Sequence, residues 1–428
     1  MKPINKILKT INESDLIRHN LIFFIGSIAV ALLNYIYYPI ISRLVDVSEF
    51  GEIQAVIAVF MQVGILLTAF GYTVTFAVNN ESQKGASAKA ILSLERTTLW
   101  ISLGLFILFC LSSFFLKNSL QFDSILPLLL VGLLIIINVP STSRTYVLQG
   151  LKRLKEVSLS GIIFATSKLL LSVILLLLGF SVVGVMLAYI IAQLLTFAYL
   201  RLKTKDVFPG FVKSLGVRSK KIFFVEKQAV KTERMYGLVI VVLLFLSALL
   251  YSFDVVAVRF FVSPEQAGLY SGISTIAKIV YFVTVSVSGV LLVSVKLRDT
   301  RKKAHAVLLR SALIILGIGG LAVLVFSLFP SEIVRLFVGN SYVSMAHLLP
   351  LVSVLMLVCS FNNLLLCFHI ARKNYRALWA TGFSALLLVA LLTLNHSGGV
   401  EDIVDGYLYA NVLMLVIFIF QIILKDKR

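Results

Sequence analysis

Charged side chains are scarce in this chain. Only 14% of its 428 residues are Asp, Glu, Lys or Arg, whereas 59% are hydrophobic. Soluble domains carry charge on about a quarter of their residues, so this composition excludes a soluble globular protein of this length. Most of the surface must contact an apolar medium, and lipid hydrocarbon is that medium because long apolar runs recur along the chain.

Acidic residues and cysteines are also few. The 20 acidic residues are outnumbered by 39 Lys and Arg residues, but these cations fall in short loops between apolar runs. That placement indicates a basic face on one side of a membrane and excludes nucleic acid as a partner. The three cysteines lie inside apolar runs and the five histidines are scattered, so we expect neither disulfides nor a metal site.

Catalytic and nucleotide-binding motifs are absent from the sequence. It contains no G-x-x-x-x-G-K-[ST] phosphate loop, which excludes ATP as the direct source of energy. It also contains no H-E-x-x-H metal motif and no nucleophile elbow. We therefore expect a protein that is not an enzyme and that needs no cofactor.

Apolar runs long enough to cross a bilayer, about 20 residues each, recur twelve times. They predict an all-α integral membrane protein with about 12 transmembrane helices. The predicted spans are 20–42, 51–78, 91–116, 123–148, 157–178, 182–202, 236–262, 267–295, 305–329, 345–370, 377–396 and 404–424.

The distribution of Lys and Arg supports this number of spans. If the N-terminus lies in the cytoplasm, 33 of the 39 cations fall on the cytoplasmic side and 4 on the opposite side. Loops that carry an excess of Lys and Arg remain in the cytoplasm, and a miscounted helix would invert every later loop. We expect a multi-pass protein of a bacterial inner membrane, with membrane lipids around it and both termini in the cytoplasm.

The two halves of the chain resemble each other. The segment Ser42–Gly51 and the segment Arg259–Gly268 each contain a basic residue, an apolar pair, a polar turn with an acid, and a glycine that opens the next helix. A parallel repeat of this kind is typical of transporters. We predict two pseudo-symmetric six-helix lobes around a central cavity, with residues 1–202 and 236–428 as the lobes and 203–235 as a basic cytoplasmic linker.

The same segments resemble a known family. The pattern from Arg43 to Gly51 is similar to the R-L-(L/V)-x-x-x-x-(F/Y)-G signature of bacterial polysaccharide and O-antigen flippases, and Asp254 followed by Gly268-Leu269-Tyr270 is similar to the second-half pattern of that family. These flippases belong to the multidrug/oligosaccharidyl-lipid/polysaccharide flippase superfamily. The resemblance implies that the chain translocates an undecaprenyl-diphosphate-linked oligosaccharide by alternating access, for surface polysaccharide assembly, with polysaccharide polymerase machinery as a candidate partner.

Two lysines lie inside predicted spans, where a charge costs about 2.5–3.5 kcal/mol. Lys168 shares a helix face with small and polar residues, and Lys278 shares one with Ser271, Ser274 and Thr275. Our hypothesis is that both lysines bind a diphosphate in the cavity, with Asp254 nearby. The alternative is that Lys278 pairs with Asp254 while Lys168 extends toward the interface.

Three asparagines inside the spans are further cavity candidates. Asn34 belongs to a polar ridge at seven-residue spacing, Asn138 precedes Pro140 at a predicted kink, and Asn362 is followed by a second asparagine. Amides in these places either hydrogen-bond sugar hydroxyls or join neighbouring helices.

Basic residues also crowd the cytoplasmic ends of the spans. Arg144, Lys152 and Arg153 lie between the fourth and fifth spans, where they either attract an anionic head group or only set the topology. The stretch 217–230 of the basic loop is either a surface helix on anionic lipid or part of a plain linker.

Two other functions remain as alternatives. A cation-coupled multidrug exporter of the same superfamily requires buried carboxylates, and the spans carry two lysines against one clear buried acid, Asp254. A membrane polysaccharide polymerase requires a large outer loop, and the predicted outer loops are all short.

Overall fold

The computed structural model describes residues 15–62, 64, 88–205, 229–295, 300–394 and 398–426. Throughout these ranges the chain forms helices and turns, without a strand. Helices pair their backbone amides and carbonyls within one segment, which is what a polypeptide in hydrocarbon requires. The predicted all-α architecture is confirmed.

The helices follow one another through short connections. Helices α1 to α6 are Asp15–Ile41, 47–62, Ala88–Ser119, Leu126–Gly150, Leu154–Leu177 and Ser181–Lys203. Helices α7 to α11 are Ala229–Ser252, Asp254–Phe261, Pro264–Ser294, Arg301–Leu328 and Pro330–Phe337. A 3₁₀ helix, Asn340–Leu348, is followed by α12, α13 and α14, which are Leu349–Ala371, Ala377–Leu394 and Val400–Asp426.

Nine of the described helices are long and apolar enough to cross a membrane, and the bent pair α7–α8 brings the number to ten. Two predicted spans remain. In α1 the apolar stretch covers Ile25–Ile41, and the described part of the second span ends at residue 64. The helices therefore follow the order of apolar runs in the sequence.

Contacts between residues divide the chain into two compact units. Unit 1 consists of the described residues within 1–44, 67–117 and 123–226, and in it α5 packs against α1 and α6. Unit 2 consists of those within 45–66, 118–122 and 227–428, and in it α12 packs against α9, α10 and α14. Of the predicted linker 203–235, residues 206–228 lie outside the described residues, and so does the stretch 217–230 apart from its last two residues. The predicted lobe boundaries therefore stay predictions.

A break at Phe253 interrupts the seventh predicted span. The sequence predicts one continuous helix over 236–262, whereas α7 and α8 meet at an angle of 55°. Asp254 is the first residue of α8, where the partial positive charge of a helix N-terminus favours an acid. On the other side of the break, the buried Asn411 donates from Nδ2 to the Leu250 carbonyl at 3.0 Å, in the last turn of α7, where helix carbonyls lack intrahelical partners.

The two glycines of the internal repeat contact each other in unit 2. A β-carbon at Gly51 in α2 would lie 2.7 Å from the Gly268 Cα, and a β-carbon at Gly268 would overlap the Val47 carbonyl. Only glycine permits such a backbone approach. The two segments that are similar in sequence are therefore packed against each other in the fold.

Arg259, from the second copy of the repeat, joins three segments of unit 2. Its guanidinium is buried, with Nε 2.9 Å from the Leu120 carbonyl, Nη1 3.2 Å from the Ser48 carbonyl, and Nη2 3.2 Å from the Gln121 carbonyl. The Glu52 carboxylate lies 3.7 Å from Nη2 and is also buried. The planar fork of arginine supplies several donors at once, so this side chain holds 48–52 and 118–122 against α8.

Replacing Gly268 with Ala should destabilise the protein by about 1–3 kcal/mol, because the new methyl group meets a backbone carbonyl that cannot move aside. Gly289→Ala in the same helix is the matched control, since a β-carbon there would meet no atom within 4 Å. Thermal unfolding in detergent measures both variants. Equal midpoints for the two would contradict the close approach of the repeat glycines.

Candidate functional site

Helices α1 and α5 approach closely in unit 1 because both carry glycine where they cross. A β-carbon at Gly26 would lie 2.5 Å from the Ser158 Cβ, and one at Gly161 would lie 3.0 Å from a Val30 methyl group. Small residues let helices inside a membrane pack at short distance. This packing brings Asn34 of α1 to Lys168 of α5.

The Lys168 ammonium is buried among neutral groups, and the side chain is only 4% exposed. Its Nζ donates to the Asn34 Oδ1 at 2.6 Å. It also lies 4.4 Å from the ring centre of Tyr37, 5.2 Å from that of Tyr189 and 5.8 Å from that of Phe164, at cation–π distance. We call Asn34, Tyr37, Phe164 and Tyr189 the Lys168 cage. Among the residues that the structure describes, no carboxylate pairs with this lysine.

Lys278 has a different environment in unit 2. Its Nζ lies 2.8 Å from the Asp254 Oδ1, and Asp254 is fully buried. The other carboxylate oxygen, Oδ2, accepts from the Tyr270 hydroxyl at 2.9 Å and from the Ser274 hydroxyl. The ion pair is thus electrically neutral and its carboxylate has three donors. The structure shows the pairing of Lys278 with Asp254 that the sequence analysis gave as the alternative to diphosphate binding.

The candidate amides all make bonds between helices. Asn138 in α4 accepts at Oδ1 from the Gln193 Nε2 of α6 at 3.1 Å, and the Asn362 Nδ2 of α12 donates to the Asn411 carbonyl of α14 at 2.9 Å. Asn362 also borders a small cavity of about 20 Å³, enough for one water molecule. In this structure these side chains join neighbouring helices, and their contact with a substrate stays a prediction.

The three candidate cations, one within α4 and two in the turn between α4 and α5, differ in exposure. Arg144 is buried, with Nη1 3.0 Å from the Thr204 Oγ1 and its guanidinium 5.2 Å from the ring centre of Phe197. Arg153 is half-buried and lies 3.4 Å from the Glu156 carboxylate, whereas Lys152 is exposed in the turn. Attraction of an anionic head group by these residues stays a prediction.

Sequence reasoning missed the aromatic part of the Lys168 cage. The ring nearest the ammonium is that of Tyr37. Tyr37 follows Asn34 by three residues and so lies on the same helix face, which is a signal that the sequence does contain. Tyr189 comes from α6, and no local pattern relates it to Lys168.

Comparisons with known proteins identify the relatives of this fold. The family described as polysaccharide biosynthesis protein matches residues 16–292, and no curated protein matches the sequence. A multidrug resistance MATE family transporter of the MOP superfamily, in an inward-facing conformation, aligns with a TM-score of 0.68 and 15% identity, over 93% of this chain and 95% of that chain.

Two further solved structures have the same fold. A MOP superfamily transporter from Pyrococcus furiosus aligns with a TM-score of 0.57 and 17% identity, over 94% of this chain and 93% of that chain. A MATE protein in complex with MaD3S aligns with a TM-score of 0.61 and 17% identity, over 96% of both chains. These alignments confirm the fold class predicted from the sequence, an all-α membrane fold of about twelve helices in two lobes.

Replacing Asp254 with Asn should destabilise the protein by about 3–5 kcal/mol, because it leaves the Lys278 ammonium without its counter-charge. The double variant D254N/K278M should recover most of this loss. Glu401→Gln is the matched control, because Glu401 forms an exposed pair with His347 that contributes little. Unfolding midpoints of the three variants test the assignment, and a stable D254N single variant would contradict it.

Proposed function

The chain belongs to the polysaccharide biosynthesis protein family, and from this premise we propose that it is a flippase for a saccharide linked to a lipid through a diphosphate. The substrate class is an undecaprenyl-diphosphate-linked oligosaccharide, moved by alternating access for surface polysaccharide assembly. Lys168 contacts the diphosphate during the cycle. Polymerase machinery that consumes the flipped product is the expected partner.

The observation that carries this proposal is the environment of Lys168. A buried cation is normally balanced by an anion, as Lys278 is by Asp254. Lys168 has one amide and three ring faces instead. A diphosphate supplies the negative charge and the strong acceptor oxygens that this ammonium otherwise lacks.

The buried acids favour an anionic substrate over a cationic drug. An exporter of cations requires a buried carboxylate that is available to its substrate. The two buried carboxylates in the described part of the chain are Asp254 and Glu52, and both already have cationic partners, Lys278 and Arg259. The Pyrococcus furiosus transporter is itself described by a binding pocket of reverse polarity that suggests a different function, so one fold accommodates pockets of different charge.

The connections and the charge distribution also support transport. The described segment between α10 and α12 consists of a short helix and a 3₁₀ helix, which leaves no large loop domain there for a polymerase. The bias of Lys and Arg supports the proposal that both termini lie in the cytoplasm. We therefore place the protein in a bacterial inner membrane.

Lys168→Ala should abolish export, and Lys168→Arg should retain part of it, because a cation at this position is what the diphosphate requires. The measurement is surface polysaccharide in a flippase-null strain of the source organism that carries each variant at equal protein level. Lys302→Ala removes an exposed cation of unit 2 and is the control. Full export by the Lys168→Ala variant would remove this residue from the transport site, and restored drug resistance without polysaccharide would favour the exporter.

A further inference from the structure

We propose that the Lys168 cage is a resting site that competes with the anionic substrate for the lysine ammonium, and that Asn34 is the positioning residue that sets this competition. The inference rests on the proposed function, because it takes Lys168 as the group that meets the diphosphate. It adds where that group lies when no substrate is bound, and which residue controls its release.

The burial of the cage shows that the ammonium must leave it to meet a ligand. Lys168 is 4% exposed, Tyr37 is fully buried and Tyr189 is 5% exposed. Among the described residues the one strong acceptor at the Nζ is the Asn34 Oδ1, and the rings of the cage face the ammonium. A diphosphate has no access to an ammonium enclosed in this way.

The contacts of the cage are of the kind that hold a cation reversibly. Cation–π attraction and a bond to a neutral amide stabilise an ammonium, but less than a carboxylate at the same place would. The side chain is a flexible four-carbon stem. Its neighbours one turn away on α5 include the small residues Ala165 and Ser172 as well as Phe164 of the cage, so the α5 face is open on the side of the two small residues.

Under this competition the apparent affinity for the substrate equals the intrinsic affinity multiplied by the fraction of time that the lysine is outside the cage. A cage that holds the ammonium nine-tenths of the time weakens apparent binding about tenfold. Changes that weaken the cage should therefore tighten anion binding, and changes that strengthen it should weaken anion binding, although Lys168 is present in both cases.

One substitution of Asn34 should weaken the hold of the cage on the ammonium, and another should strengthen it. Asn34→Leu removes the acceptor, keeps the number and branching of the side-chain heavy atoms, and should tighten binding several-fold. Asn34→Asp places a carboxylate 2.6 Å from the ammonium, where it forms an ion pair, and should weaken binding at least tenfold. If Asn34 were only a ligand for the diphosphate, the leucine variant would bind less well than the unchanged chain.

The test uses the full chain purified in detergent, with geranyl diphosphate as the probe and calorimetry as the measurement. The variants are Asn34→Leu, Asn34→Asp, Lys168→Ala and Phe164→Leu, the last of which removes one half-buried ring of the cage and should tighten binding about two- to fivefold. Gln193→Leu is the matched control, because it also removes an interhelical amide bond of unit 1 but does not touch the cage.

The outcomes separate the two proposals. Loss of binding in Lys168→Ala, with tighter binding in Asn34→Leu and weaker binding in Asn34→Asp, supports the resting site. Loss of binding in Lys168→Ala together with weaker binding in both Asn34 variants overturns the resting site but leaves the anion role of Lys168 in place. Unchanged binding in Lys168→Ala overturns that role. If Asn34→Asp does not fold, Phe164→Leu with weakened or unchanged binding still overturns the resting site.

Discussion

A cation inside hydrocarbon must be balanced by groups of the protein itself. This requirement explains the contacts around Lys168, Lys278 and Arg259. Insertion of one such charge costs about 2.5–3.5 kcal/mol. Each of these side chains therefore contacts polar groups or rings from other segments of the chain. Lys278 of α9 forms an ion pair with Asp254 of α8. Arg259 donates to three backbone carbonyls and lies beside the Glu52 carboxylate. Both sets of contacts lie in unit 2. Unit 1 balances Lys168 without a carboxylate among its described residues.

The two units differ in whether a carboxylate among the described residues lies beside the cation. In unit 2, Lys278 and Arg259 each have a carboxylate beside them, Asp254 at 2.8 Å and Glu52 at 3.7 Å. In unit 1 the amide of Asn34 and the faces of Tyr37 and Tyr189 stabilise an ammonium but leave its charge unneutralised. Positive charge in an apolar interior attracts anions, and this is the physical basis of the proposed anionic substrate.

The sequence predicted what depends on length and polarity, and it could not predict what depends on contacts between distant helices. Apolar runs gave the helices in the right order, and the acid in the seventh run gave the correct partner for Lys278 as one of two alternatives. The break at Phe253 was missed, because apolar length does not report the bond from Asn411, more than 150 residues away, to the Leu250 carbonyl. The similarity of the repeat does not extend to burial: Arg43 is exposed, whereas its counterpart Arg259 is buried, since equivalent residues of a repeat do not need equivalent neighbours.

The bond between Asn411 and the Leu250 carbonyl has a consequence for the order of biosynthesis. Helices enter the bilayer in the order of their translation, so α7 and α8 arrive five helices and a 3₁₀ turn before α14. During that interval the end of α7 lacks the amide that will cover its carbonyl, and an uncovered carbonyl in lipid is unfavourable. The bent span therefore gains this partner only after α14 leaves the ribosome, which makes the insertion of α14 the step that covers the end of α7.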